Sequence, residues 1–213
     1  MWNMHQLKLE KYLNNRNIKH FRWWRVIRKT MVVIKPWILI KEIVELIGNL
    51  HQKYHLLMLT RNTDIDFREL ETVVEIGGGY GAMCATIFDK GFNGRYVLYD
   101  LPEMQELSKY YLSKRKLKKD IFSTFSRYEI KGTNKPSLLI ALWSLSEIPV
   151  NKRDKLDLTG FDYYLFAFQS KFTGVDNIKY FMKLKDKIGG SKWNMIKIEH
   201  VGGENYYLIR SKE

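Results

Sequence analysis

Between Val73 and Met83 the chain reads Val73-Val74-Glu75-Ile76-Gly77-Gly78-Gly79-Tyr80-Gly81-Ala82-Met83. A short β-branched run passes straight into a glycine-dense turn and then into a helical pattern. Glycine is needed where the backbone takes a positive φ, and where a ligand must come against the chain with no Cβ in the way. A helix that starts just past such a turn presents free N–H groups and the positive end of its dipole. Strand, glycine turn and helix in this order point to an α/β protein that binds a cofactor at the carboxyl end of a parallel sheet.

The downstream pattern agrees with this. From Thr72 onward short apolar runs alternate with helical stretches. Strands are expected at Val73–Ile76, Tyr96–Tyr99, Ile121–Phe125, Ser137–Leu142 and Tyr163–Phe168. Two last runs, Asn194–Ile198 and Tyr206–Ile209, flank Val201-Gly202-Gly203-Glu204, a hairpin signal. The expectation is a seven-stranded, mostly parallel sheet closed by an antiparallel hairpin. Pro102 and Pro149 fall just past strand ends, where helices begin, and Pro136 falls just before a strand.

Upstream the pattern is helical. Phe21, Trp24, Ile27 and Met31 recur at intervals of three to four, with Arg22, Arg25, Arg28 and Lys29 on a neighbouring face. Pro36 suits the first turn of a second helix, in which Leu39, Ile43, Leu46, Ile47, Leu50, Tyr54 and Leu57 repeat at helical spacing to about Leu59. Thr60–Phe67 reads as a loop. The division expected is a basic helical segment or cap over 1–66 and a cofactor-binding domain over 67–213.

Composition narrows the class. With 45% hydrophobic and 28% charged residues among 213, disordered and collagenous chains are excluded. The single cysteine, Cys84, allows no intrachain disulfide and fits a reducing cytoplasm. Met1–Glu10 lacks the apolar core of an export signal. Met31–Ile40 is interrupted by Lys35 and Pro36 and is too short to span a bilayer. The net charge of +13 is an N-terminal property, since residues 1–41 hold ten Lys and Arg and one acid, Glu10. Such a segment is either a solvated face or a patch for anionic lipid, a polyanionic substrate or nucleic acid.

Two cofactors suit the glycine turn. Gly77-x-Gly79-x-x-Ala82, with Asp100 about 20 residues on, satisfies the dinucleotide fingerprint. S-adenosylmethionine is favoured by the run Gly77-x-Gly79-x-Gly81 and by Glu75 at the strand end. A carboxylate there can orient the loop or reach the cationic end of that cofactor, whereas it repels a pyrophosphate.

On these residues the sequence resembles the class I S-adenosylmethionine-dependent methyltransferases, with Glu75-x-Gly77-x-Gly79-x-Gly81 as their first motif and Tyr99-Asp100 ending the second strand. Tyr99-Asp100-Leu101-Pro102-Glu103, Leu142-Trp143-Ser144-Leu145-Ser146-Glu147-Ile148-Pro149, Asn177-x-x-Tyr180-Phe181 and Glu199-His200 look like the bacterial sugar O-methyltransferases. The resemblance implies a Rossmann-like fold and S-adenosylmethionine as cofactor, with S-adenosylhomocysteine as product. It implies that Gly77, Gly78, Gly79, Tyr80 and Gly81 pack against the methionine part, that Asp100 accepts the ribose hydroxyls, and that Leu101, Trp143 and Ser144 complete the cofactor site. The acid that often holds adenine at the third strand is not evident, which leaves Ser123, Ser126 or backbone atoms.

Methyl transfer to oxygen needs in-line alignment and removal of a hydroxyl proton. Glu147, five residues past the end of the fourth strand expected, and His200, ending the next-to-last strand, are the candidate bases. Gln169, Asn177 and Tyr180 are candidate contacts for a sugar acceptor. No metal motif is present in the sequence. The function expected is sugar O-methylation in glycan or glycosylated metabolite assembly in the cytoplasm, with peripheral contact at the inner face of an anionic membrane. The rivals are a methyltransferase for RNA or another small molecule, and a non-catalytic binding protein on a degenerate methyltransferase fold. Nucleic acid is not favoured, since no aromatic-plus-basic module lies outside the first 41 residues.

Overall fold

The computed structural model describes residues 37–115, 117, 120–124, 130, 132 and 136–212, with backbone alone over 37–49. The basic helix expected around Phe21–Met31 lies outside the described residues. The chain divides into two compact units, Met1–Glu45 and Leu46–Glu213. In the first, the described part is the start of helix α1 (Trp37–Asn62).

In the second unit, strands and helices follow as β1 (Thr72–Ile76), α2 (Ala82–Asp89), β2 (Arg95–Tyr99), α3 (Pro102–Lys114), β3 (Ile121–Thr124) and β4 (Ser137–Leu142). Short helices α4 (Ser144–Glu147) and α5 (Val150–Arg153) lead to β5 (Tyr163–Gln169), a small hairpin of β6 (Lys171–Phe172) and β7 (Val175–Asp176), helix α6 (Asn177–Ile188), β8 (Trp193–Lys197) and β9 (Asn205–Arg210). The seven-stranded sheet has the order β3-β2-β1-β4-β5-β9-β8. Its first five strands are parallel neighbours, and β9 runs antiparallel to both β5 and β8. All seven strands expected from the sequence are present, with ends shifted by a residue. The β6–β7 hairpin was not foreseen, because two-residue strands carry no periodicity.

Strand residues alternate between two cores. Val73, Leu138, Ile140, Leu165, Tyr207 and Ile209 join α1 and α2 on one face, through Leu56, Leu59, Met83 and Ile87. Val74, Ile76, Leu139, Phe166, Phe168 and Leu208 meet Phe181 and Leu184 of α6 on the other. Burying each such Leu, Ile or Phe is worth about 2 kcal/mol.

Helix α1 departs from the reading in three ways. It continues past Leu59 to Asn62, and its end is tied by side chains, Asn62 Nδ2 donating to Met58 O (2.8 Å) and Thr63 Oγ1 to Leu59 O (2.8 Å). The described members of the apolar repeat, Leu50, Tyr54 and Leu57, are 55%, 38% and 41% exposed, and the buried face is His55, Leu56 and Leu59. The last turns of α1 also supply core to the sheet, through Leu56 and Leu59.

The chain visits β1, β2 and β3 in one direction from the centre, then returns to β4 on the other side of β1. The crevice at such a reversal, outside the carboxyl ends of β1 and β4, is where open α/β sheets bind ligands.

Candidate active site

The glycine loop after β1 is held from two sides and open on a third. A Cβ on Gly77 would lie 2.2 Å from Ser144 Cβ, and one on Gly78 would lie 2.3 Å from Leu98 Cδ2 and 2.8 Å from Glu75 Oε2. Ser144 also ties the loop to its own strand, its Oγ donating to Ile76 O. Gly79, at φ 56°, differs, because a Cβ there would meet no atom within 4 Å. Its N–H donates to Asp100 Oδ2 at 2.8 Å. Gly81 N–H closes the turn onto Gly78 O (2.9 Å), and α2 starts at the next residue. Tyr80 is 39% exposed beside the loop, its ring edge-on to Tyr111 at 5.0 Å.

Asp100 follows β2. Its Oδ1 accepts the N–H of Leu101 at 2.7 Å, so two backbone donors orient the carboxylate while lone pairs remain for hydroxyl donors. Burial pushes its pKa up against the pull of those N–H groups. Asp100 is not the cap of α3: that position is Leu101, with Pro102 starting the helix. Leu101 is 55% exposed and flanks the carboxylate.

Glu75 lies beneath the loop. It is 4% exposed and accepts a hydrogen bond from Tyr96 Oη at 2.8 Å. Burial raises its pKa to about 7, with the Tyr96 bond opposing and the Asp100 charge adding to the rise. Of the two roles open to it in the sequence, supporting the loop agrees with this position. A side chain so covered does not reach the open face at Gly79.

A second group of side chains gathers where β4, α1 and the β8–β9 loop meet. Trp143 directly precedes Ser144 and takes φ 60°, a strained conformation for a non-glycine residue. Its indole Nε1 donates to Asn205 Oδ1 at 2.8 Å. Against this indole lie His51 (6.0 Å between ring centres) and His55 (5.5 Å) of α1. His51 and His55 are 4.2 Å apart, His51 is 5.6 Å from His200, and Tyr54 meets His200 edge-on at 4.4 Å. His55, 1% exposed, shares a 2.5 Å hydrogen bond through Nδ1 with Tyr207 Oη. Burial first, and the charges of His51 and His200 next, lower the His55 pKa to about 3, so this imidazole stays neutral. His51 is half-buried and is lowered by burial and by His200.

Beyond Trp143 lies a third group. Glu147 is exposed along its stem with its carboxyl partly covered, and that partial burial raises its pKa while a hydrogen bond from Gln169 opposes. Ser146 Oγ lies 2.9 Å from Gln169 Oε1. Asn177 and Tyr180 pack against Arg153, and Tyr180 stays part-exposed. Asn177 is fully buried, its Oδ1 accepting from Arg153 Nη1 (2.9 Å) and its Nδ2 donating to Gln169 O (3.1 Å). Tyr180 lies under the Arg153 guanidinium, 4.3 Å from it. Asn177 thereby holds the end of β5, which carries Gln169. Among the described residues, no group of three or more His, Cys, Asp and Glu side chains is placed to hold a metal ion.

Three solved structures share this arrangement of strands and helices. The methyltransferase domain of the bacterial protein CtHen1 matches with a TM-score of 0.56 at 13% identity, over 76% of this chain and 97% of that one. A protein of Methanococcus maripaludis assigned as an S-adenosylmethionine-dependent methyltransferase matches at 0.53 and 16%, over 76% and 84%. Magnesium protoporphyrin IX methyltransferase of Synechocystis PCC 6803, solved with bound S-adenosylmethionine, matches at 0.52 and 12%, over 78% and 81%. The chain has the class I methyltransferase fold. A family model described as an O-methyltransferase domain matches residues 42–125. No curated protein matches the sequence significantly.

In this methyltransferase fold the site residues expected from the sequence separate into groups. Gly77–Gly81, Asp100, Leu101 and Ser144 surround the loop, and their donor set fits S-adenosylmethionine: a carboxylate for hydroxyls beside an open glycine face. Trp143 turns its side chain toward Asn205 and the imidazoles. His200 joins that cluster, while Glu147 and Gln169 stand apart from it. Ser126 lies outside the described residues. Sequence reasoning missed His51, Tyr54 and His55. Their spacing of three and four places them together on one helix side, which was the available signal.

Proposed function

We propose that this chain is an S-adenosylmethionine-dependent O-methyltransferase acting on a sugar hydroxyl, in the assembly of a glycan or glycosylated metabolite. The observation that carries the cofactor reading is the Gly79–Asp100 contact. The backbone amide fixes one carboxylate oxygen at the edge of a glycine face that no side chain of the loop fills. The family model over 42–125 supports transfer to oxygen. The sugar rests on the resemblance of the segments Tyr99–Glu103, Leu142–Pro149 and Glu199-His200.

The bound cofactor supplies a methyl group on a positively charged sulfur, which needs no further activation. The protein's own tasks are then to hold ribose at Asp100, to align a hydroxyl with the methyl and to take its proton. The imidazole cluster containing His200 is suited to the last task, because it adjoins Trp143-Ser144 and so the first glycine of the loop.

Calorimetric titration tests the reading. S-adenosylmethionine and S-adenosylhomocysteine are expected to bind at micromolar Kd, NAD not to bind, and Asp100→Ala to weaken the first two by about 10- to 100-fold, as loss of a charge-assisted hydrogen bond implies. Binding of NAD alone would overturn it.

A further inference from the structure

The cluster at the mouth of the site holds three imidazoles drawn from two distant parts of the chain, and they are not equivalent. His55 is enclosed and already engaged by Tyr207. His200 is exposed in the β8–β9 loop, where water solvates it. His51 stands between them, half-buried, with His55 on one side, His200 on the other and the Trp143 indole facing it at a 28° tilt. It is partly open to solvent, and its neighbours restrict how it turns.

We propose that His51 is the group that accepts the proton of the methylated hydroxyl, with His55 and His200 as positioning residues on either side of it. This rests on the methyltransferase reading above. In the step, the hydroxyl O–H bond breaks and its proton passes to a ring nitrogen of His51. The oxygen takes the methyl group, the sulfonium becomes a thioether, and His51 then returns the proton to water.

The surroundings suit that role. Among the described residues, the titratable groups gathered about His51 are His55 and Tyr54 on its own helix, His200 from the β8–β9 loop, and Tyr207 from β9 behind His55. Among the described residues no carboxylate hydrogen-bonds His51, and Glu199 next to His200 pairs outward with Lys197 at 3.5 Å. His51 is therefore neutral and able to accept at neutral pH, its proton affinity lowered by burial and by His200. His55, held by Tyr207, keeps its shape without competing for the proton.

Two measurements test the proposal. In ring-resonance NMR titrations of the full chain, His51 is expected to titrate below a free imidazole, to move upward in pH in His200→Gln, and to shift when S-adenosylhomocysteine is added. In methyl transfer to a panel of methyl glycosides, His51→Gln is expected to lower kcat by about 100-fold, with cofactor Kd within twofold of wild type. The acidic limb of the pH profile should follow the His51 titration and shift upward in His200→Gln. A His51 resonance indifferent to both His200→Gln and S-adenosylhomocysteine overturns the assignment, as does His51→Gln that retains transfer. If the unmodified protein binds no S-adenosylhomocysteine, the underlying methyltransferase reading fails instead, and the proposal with it.

Discussion

Glu75 and Asp100 show how two carboxyl groups near one loop take different states. Asp100 keeps backbone donors and partial access to solvent, so it remains a hydrogen-bond acceptor for a ligand. Glu75 is covered, with Tyr96 as its hydrogen-bond donor, and its pKa rises to about 7 from the value near 4.5 of an open chain. Between those values the folded chain holds a proton that the unfolded chain has released. Stability is therefore full below about pH 4.5 and declines as pH rises through about 7. Glu75→Gln keeps an acceptor for Tyr96 and removes the ionisation. Thermal unfolding between pH 5 and 8 should show the wild-type Tm falling by several degrees and the variant nearly flat; parallel slopes would contradict the assignment.

At the scale of elements, the strand–loop–helix unit is rigid where it faces inward and permissive where it faces the crevice. Gly78→Ala drives a Cβ against Leu98 and Glu75, an overpacking worth about 1–3 kcal/mol. Gly79→Ala meets open space and carries mainly the backbone cost of its positive φ, about 1 kcal/mol. Urea midpoints should fall further for Gly78→Ala than for Gly79→Ala, and cofactor binding should suffer in both. The reverse order would mean that the loop is packed differently. Helix α1 is the element whose role was least legible. It is apolar on more than one side, so periodicity located the helix but could not choose its buried face. A buried histidine also runs against the composition of a core.

For the whole molecule, the positive charge is concentrated in residues 1–41. None of the described helices is long and apolar enough to cross a membrane. We propose that the basic residues 1–41 hold the protein at an anionic membrane face, each Lys or Arg near such a surface contributing about 1 kcal/mol. Co-sedimentation with phosphatidylglycerol vesicles, and not with phosphatidylcholine ones, is the expected result. Binding should be lost on changing Arg22, Arg25 and Arg28 to Glu, and unaltered binding by that variant would remove the idea.

The sequence by itself determined the α/β class, the seven strands, the terminal antiparallel pair, and the loop with its acid at Asp100. These depend on alternation, glycine placement and turn chemistry among near neighbours, which a linear pattern records directly. The tertiary structure alone decided that Glu75 is covered, that Asn177 and Tyr180 brace Arg153, and that His51 and Tyr54 meet His200 from about 150 residues away. Those outcomes depend on how whole faces pack. A side chain's neighbours across a sheet or between a helix and a distant loop leave no periodic trace in the residues beside it.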